Sequence, residues 1–203
     1  MKALKLIVIT ALAAATALTA GVTTSCDVLK RQAQGAYNMV KCDYSFQSLT
    51  HIQVAGIDLS RGLSIMDTPK ILGLLSGGTS SIPVGLTVNL AVKNPNATEA
   101  MLSGMDYTLS IDGIEFTRGA VTQKLSVAPG ATGTLPLAMA FDVATLMRGD
   151  SRDAVTGVVK NLIGTGGEAS TVRLDIRPTF DVAGHMIASP VPIPVSFTFG
   201  GAK

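Results

Sequence analysis

Alternating apolar and polar residues dominate the chain from about residue 42 onward. In the clearest case, residues 84–93, Val84 and every second residue after it are apolar, while the residues between them are small or polar. A period of two is typical of a β-strand with one buried face. The same alternation recurs in residues 44–59, 107–111, 114–116, 135–141, 172–176 and 191–199. The pattern therefore predicts a mainly β protein with about seven strands.

Turn signals and prolines indicate how these strands are arranged. Asp112 and Gly113 form a strong two-residue hairpin signal between two alternating segments. Pro192 and Pro194 lack the N–H group that a central strand needs, so we expect the last strand to lie at a sheet edge or to be irregularly paired. Many short strands joined by turns favour an antiparallel β-sandwich over alternating strand–helix units.

Two segments depart from this alternation and show helical spacing of their apolar residues, residues 65–75 and 151–163. In the first, Asp67 or Thr68 is a candidate N-cap that precedes Pro69, and proline is favoured at the start of a helix. Both segments are predicted to be short amphipathic helices that cover an open end or edge of the sandwich.

The first 25 residues have the pattern of a secretory signal peptide. Lys2 and Lys5 precede an apolar run from Leu6 to Ala20, and small or β-branched residues then lead to Cys26. A cysteine at this junction is typical of bacterial lipoproteins, in which the thiol is acylated and the cysteine becomes the new N-terminus. The pattern predicts a signal peptide over residues 1–25 and lipidation at Cys26.

Two alternatives to lipidation remain open. One is a transmembrane helix, although the apolar run is shorter than the ~20 residues that such a helix needs. Cleavage with release of the chain is the other possibility, although Leu18 is bulky where a small residue is preferred. The lipoprotein pattern is itself imperfect, because Thr23 stands three residues before the cysteine, where leucine is usual.

On the lipoprotein interpretation, residues 26–41 are a lipidated tether, with room for a turn of helix, and residues 42–200 form one folded domain. The tether would hold the domain at the periplasmic side of a bacterial membrane, inner or outer. The lipid bilayer is then the first expected partner, since several acyl chains together give a lasting anchor.

The charge of the chain disfavours nucleic acid as a partner. The sequence has 16 Lys and Arg against 14 Asp and Glu, and two of the lysines belong to the signal peptide, so 14 of each remain. No basic run remains that could neutralise a row of phosphates. The chain also has no Trp, so platforms for stacking on bases or sugars are scarce.

Residues capable of catalysis or metal binding are few and scattered. His51 and His185 are the only histidines, and neither has the spacing of a metal site. No strained nucleophile elbow or phosphate-binding loop is found.

With Cys26 acylated, Cys42 is the one remaining thiol and is predicted to be buried. Arg148-Gly149-Asp150 spells an adhesion tripeptide, which we interpret as the approach to a helix cap. We therefore predict no enzyme activity, no cofactor and no metal.

The segment from Val84 to Phe141 resembles one known family. The strand that runs into Asn94-Pro95-Asn96, the segment 107–113 and the turn 127–130 look like the late embryogenesis abundant type 2 family, whose module is the water-stress and hypersensitive-response (WHy) domain. This resemblance implies an immunoglobulin- or fibronectin-III-like β-sandwich with no catalytic residues. Independently of the family, Pro95 restricts Asn94 to extended geometry, and Asn side chains can bond to nearby backbone groups in the turn.

These patterns lead to three functional hypotheses. The first is a membrane-anchored, non-catalytic β-sandwich that binds or scaffolds an envelope protein or a lipid. The second, implied by the resemblance, is a stress-protective protein that shields other proteins during desiccation. The third is an enzyme whose site is assembled from distant residues.

Overall fold

The structure is a computed structural model that describes residues 26–60, 64, 66–76, 79–147 and 151–201. The predicted signal peptide, residues 1–25, and the tripeptide 148–150 lie outside these residues. The described chain is mainly β, as predicted, with antiparallel sheets and a few short helices.

The first sheet contains four strands in the order β2-β1-β3-β8. Its strands are β1 (Asp43–Val54), β2 (Ile57–Asp58), β3 (Pro83–Lys93) and β8 (Thr132–Asp142). The alternation in β3 turns one face of the strand to the core, because every second residue from Val84 to Val92 is buried. β8 pairs with β3 along its whole length, and Pro136 is tolerated there because β8 lies at the end of the sheet order.

The second sheet is built around the long strand β9 and has the order β10-β9-β5-β6, with β11 also paired to β9. Its strands are β5 (Gly104–Ile111), β6 (Ile114–Val121), β9 (Ala169–Val182), β10 (His185–Ala188) and β11 (Ile193–Gly200). β11 pairs only with β9, so the edge position predicted for this proline-containing strand is confirmed. A separate two-stranded sheet joins β4 (Ala100–Leu102) to β7 (Leu125–Val127).

The core lies between the two large sheets and is almost entirely apolar. Leu90 and Leu135 from the first sheet and Leu174 and Ile176 from the second are completely buried. Phe46 of β1 stacks on Phe197 of β11, with ring centroids 3.8 Å apart, and so ties the edge of one sheet to the edge of the other. This pairing of sheets around one core is the predicted sandwich.

Four helices cover the two ends of the sandwich within the described residues. α1 spans residues 26–40, α2 is Asp67–Leu75, α3 is Val143–Leu146 and α4 is Arg152–Leu162. We name the two ends of the sandwich after residues beside β3. The Asn94 end is where β3 finishes, and the Ile82 end is where β3 starts. α1 covers the Asn94 end, whereas Arg152 of α4 donates to the Ser76 carbonyl just after α2, at the Ile82 end.

The structure differs from the sequence prediction in three respects. Eleven strands are described rather than about seven, because β2, β4, β7 and β10 are too short to show a clear alternation. α2 starts at Asp67 with Met66 as its N-cap, so neither Asp67 nor Thr68 caps it. Residues 26–40 are helical throughout, and the second half of this helix packs on the sandwich, which a free tether would not do.

Candidate functional site

Asn94, which follows β3, is completely buried and is bonded through every polar group it has. Its Nδ2 donates to the carbonyls of Thr98 and Val127, both at 2.9 Å. Its Oδ1 accepts from the backbone N–H and the side-chain amide of Asn96, at 3.0 and 2.8 Å. Its backbone N–H donates to Ala131, and its carbonyl accepts from Gly130, each at 2.9 Å. A buried amide with every group paired fixes the turn in one geometry.

Pro95 explains why the next residue completes this turn. Proline holds the chain extended at Asn94 and has no N–H of its own, so the first free donor after Asn94 is the N–H of Asn96. That donor reaches back to Asn94 Oδ1 in an Asx-type turn. The motif predicted as structural, Asn94-Pro95-Asn96, therefore joins the end of β3 to the approach to β4 and to the β7–β8 turn.

The same amides also bind α1. Asn96 Nδ2 donates to the Asn38 carbonyl at 3.0 Å. In the other direction, Asn38 Nδ2 donates to Thr98 Oγ1 at 2.7 Å and to the Thr98 and Glu99 carbonyls at 3.1 and 2.9 Å. Asn38 is almost completely buried. We call Asn38, Asn94, Asn96 and Thr98 the asparagine cluster; it connects α1 to the sandwich by reciprocal hydrogen bonds.

Apolar contacts along one face of α1 support the asparagine cluster. Met39 is completely buried, and Gly35 lies so close to β4 that a β-carbon there would stand 2.7 Å from Met101 Cγ. Gln32 Oε1 accepts from the N–H of Ala183 at 3.3 Å, in the turn between β9 and β10. The helix therefore lies across the Asn94 end from β1 to the β9–β10 hairpin.

Cys26 is the first residue of α1 that the structure describes, and it is exposed. The predicted lipidation residue is helical rather than part of a free tether, and residues 26–31 are exposed. None of the helices in the described ranges is both long enough and apolar enough to cross a membrane.

Cys42, at the end of the segment that follows α1, is buried, and its Sγ lies 3.4 Å from the Asn38 carbonyl. Burial, together with the nearby Asp43 carboxylate, raises the pKa of the Cys42 thiol to about 11. Tyr44 donates to the Met39 carbonyl at 2.9 Å, and burial raises its pKa as well. Both side chains are therefore neutral at physiological pH, and both contact backbone carbonyls in the last turn of α1.

Asp112 and Gly113, the other predicted motif residues, occupy the β5–β6 hairpin turn. Both have positive φ, 50° and 81°, as a type I′ turn requires. Asp112 Oδ1 also accepts from the Thr171 N–H at 2.8 Å, and the Asp112 N–H donates to the Thr171 carbonyl at 2.9 Å. The aspartate thus joins the hairpin to the start of β9, and its carboxylate is engaged in structure.

The candidate catalytic residues are not brought together. His51 lies in β1 of the first sheet, and His185 lies at the start of β10 in the second. Asp142 caps α3 by accepting from the Ala144 N–H, and its hydrogen bonds to Ser81 and Ile82 lower the pKa of its carboxyl. Among the residues that the structure describes, no group of three or more His, Cys, Asp or Glu could hold a metal ion.

The cavities likewise do not resemble an active site. An interior cavity of about 20 Å³ lies between the sheets, lined only by apolar side chains that include Leu109, Phe116, Phe141, Val159 and Phe199. Its volume is close to that of one water molecule, and an apolar void of this size stays dry. Larger clefts of about 430, 570 and 350 Å³ open on the surface.

Comparison with known proteins places the chain in a family. The family described as late embryogenesis abundant protein matches residues 89–196, just over half of the 203 residues. The match runs from the middle of β3 through the first half of β11 and includes Asn94-Pro95-Asn96 after β3. The chain therefore belongs to the late embryogenesis abundant type 2 family, as the sequence resemblance predicted. No curated protein matches the sequence.

Solved structures similar to this chain include a protein from Arabidopsis thaliana, 14% identical, with a TM-score of 0.42 over 78% of this chain and 77% of that one. A late embryogenesis abundant protein is 13% identical, with a TM-score of 0.38 over 92% and 86%. A protein from Archaeoglobus fulgidus is 16% identical, with a TM-score of 0.35 over 75% and 96%. The family assignment rests on the sequence match.

Sequence reasoning found Asn94 and Asn96 but missed Asn38 and Thr98, their partners in binding α1. The repeat of Gln32, Gly35 and Met39 at helical spacing was the available signal for a docked helix. The hydrogen bonds to Asn38 span about sixty residues of sequence, and no local pattern could have shown them.

We expect the two buried asparagines to have different effects when truncated. Asn94→Ala leaves two buried carbonyls unpaired and should lower the free energy of unfolding by roughly 1–3 kcal/mol per unpaired group. Asn38→Ala should instead loosen α1, which hydrogen exchange would detect as faster exchange in residues 26–40 with little change in β3 or β9. Asn89→Ala is the matched control, because Asn89 lies in β3, the strand that ends just before Asn94, and its side chain donates to the Ser48 and Thr50 hydroxyls on the outer face. Equal effects of all three changes on unfolding would contradict this account.

We expect Cys42 to resist thiol reagents at neutral pH as long as the chain is folded. Because its pKa is raised from 9.0 to about 11, the folded state holds the proton more tightly than the unfolded state does. Its contribution to stability is complete below pH 9 and is lost as the pH rises toward 11. Alkylation kinetics of a Cys26→Ser chain, with and without denaturant, test the first point; the pH dependence of unfolding in Cys42→Ala tests the second. Fast alkylation of the folded chain would refute the burial argument.

Proposed function

We propose that this protein is a bacterial lipoprotein, held at a membrane of the cell envelope through acylated Cys26, whose non-catalytic β-sandwich binds or scaffolds other envelope components. The observation that carries the proposal is that Cys26 is exposed on a helix whose far end is bonded into the sandwich. The sequence before Cys26 supports the proposal, because it has the charged, apolar and small-residue regions of a secretory signal.

The helix between the anchor and the domain would set how the domain is held at the membrane. Twelve residues separate Cys26 from Asn38, a rise of about 18 Å along a helix. Because Asn38 and Met39 are fixed on the sandwich, the acyl chains would hold the domain at a set distance and orientation. A flexible linker would leave that orientation free.

The scaffolding role is supported by the kind of surface and interior that the domain has. The family is generally non-enzymatic, and the described residues gather no metal-binding group. The charges that follow the signal peptide are balanced, which suits a protein or lipid partner better than a polyanion. We therefore propose that the protein acts by binding a protein or lipid partner through its anchored surface.

The lipid anchor is tested with a Cys26→Ser variant of the full chain. In bacteria fed an alkyne-tagged fatty acid, the wild-type protein should carry the tag and partition into the detergent phase, whereas Cys26→Ser should do neither. Cys42→Ala is the matched control and should behave like the wild type, because Cys42 is buried in the sandwich. Tagging of Cys26→Ser would show that the anchor lies elsewhere.

The same membranes test the scaffolding role. Crosslinking in intact cells should yield a discrete larger species with the wild-type protein and less of it with Cys26→Ser. Capture of monomer alone, with the anchor intact, would argue against a scaffold while leaving the lipidation result standing.

A second candidate function is protection of other proteins during desiccation. Membership of the late embryogenesis abundant family, over residues 89–196, favours it. A non-acylated Cys26→Ser chain should then reduce the aggregation of a client enzyme through drying and rehydration, beyond the effect of an inert globular protein at equal mass. Protection no greater than that control would remove the hypothesis.

A further inference from the structure

The apolar face of α1 continues past its last contact with the sandwich. Gln32, Gly35, Ala36 and Met39 face the domain and are half-buried or buried. One turn earlier at the same helical spacing lies Val28, with Leu29 beside it, and both are exposed, at 56% and 44%. A surface helix normally shows apolar residues only where something covers them. The first two turns of α1 therefore carry an apolar face that the described sandwich leaves uncovered.

A second group of exposed apolar side chains lies on the neighbouring hairpin. The turn between β9 and β10 contacts Gln32, which is six residues, or about 9 Å along the helix, from Cys26. In β10, Met186 and Ile187 are 60% and 50% exposed. This strand pairs only with β9, so its outer edge is free within the described structure. Short edge strands usually carry charges rather than large apolar residues.

From these two observations we infer that Val28, Leu29, Met186 and Ile187 form a rim that inserts into the surface of the phospholipid bilayer beside the acylated cysteine. The inference rests on the proposed lipid anchor, which places a bilayer at this end of the molecule. The rim would then seat the domain on the membrane at a second point, so that α1 and the β9–β10 hairpin contact the lipid together.

The bilayer is the occupant favoured by distance and by chemistry. Acyl chains on Cys26 bring lipid to the same end of α1 as the rim. An apolar surface beside an anchor is expected to lie ~5–10 Å into the boundary between headgroups and acyl chains. A second contact also adds to the anchor, since stable attachment of a lipidated protein generally takes more than one signal.

The charges around the rim predict which lipids it needs. Lys30 and Arg31 on α1, together with Lys124 in the cleft between α1 and the hairpin, face Asp27 on the same helix and Asp181 on the hairpin. Asp181 is engaged locally, since its Oδ1 accepts from the Gly184 N–H at 2.9 Å. This excess of one positive charge is well below the roughly four to eight basic residues of an anionic-lipid site, so the rim should insert into neutral phosphatidylcholine without any requirement for anionic lipid.

The test places a fluorescent probe on the rim of the lipidated protein. Cys26 is blocked by acylation and Cys42 is buried, so a cysteine introduced by Met186→Cys, Ile187→Cys or Val28→Cys is the one accessible thiol. Val191→Cys and Met66→Cys are matched controls, because both native residues are at least as exposed but lie away from the hairpin turn, after β10 and beside α2. The labelled proteins are reconstituted into phosphatidylcholine vesicles that contain lipids with a spin-label quencher on the acyl chain.

We expect several-fold stronger quenching at positions 28, 186 and 187 than at 66 or 191, with a blue-shifted emission. Equal quenching at all five positions, in protein that floats with the vesicles, would overturn the rim and leave the anchor intact. A blue shift without quenching would also overturn it, because another protein or a second copy would then cover these residues. Failure to float, or to be acylated in cells, would refute the anchor and the rim together.

Discussion

The side-chain amide of Asn94 is the interaction on which this molecule depends. A buried amide without partners costs several kcal/mol, so this residue is stable only where every one of its groups is bonded. The groups that satisfy it belong to three separate parts of the chain: the loop before β4, the end of β7 and the turn into β8. The two-stranded sheet β4–β7 and the first sheet are therefore held together at a single polar point in an otherwise apolar fold.

Asn96 extends the same constraint to the helix that carries Cys26. It bonds both to Asn94 and to the Asn38 carbonyl, so the end of β3 and the end of α1 share one side chain. A shift of α1 would break bonds to Thr98 as well as to Asn96, and the buried Met39 would be exposed. The helix is thus part of the domain, and Cys26 is connected to the sandwich through continuous helix.

The two ends of the sandwich are closed by different physical means. Amide hydrogen bonds close the Asn94 end, where α1 docks and where the exposed apolar rim lies. At the other end, Val158 and Val159 of α4 pack into the apolar interior beside Phe197. This division places Cys26 and the proposed rim at the same end of the sandwich. The cavity of about 20 Å³ between the sheets is lined by apolar side chains alone.

Local sequence pattern determined most of the strands, the hairpin at Asp112 and Gly113, and the family, because a two-residue period and a turn signal depend only on neighbouring side chains. It also gave the edge position of the last strand, since a missing N–H is a property of proline alone. Tertiary structure decided the rest. Asn38 and Thr98 meet across sixty residues, and short strands such as β10 exist only because β9 is present to pair with them. The segment after Cys26 is a docked helix for the same reason: its polar and apolar partners all lie elsewhere in the chain.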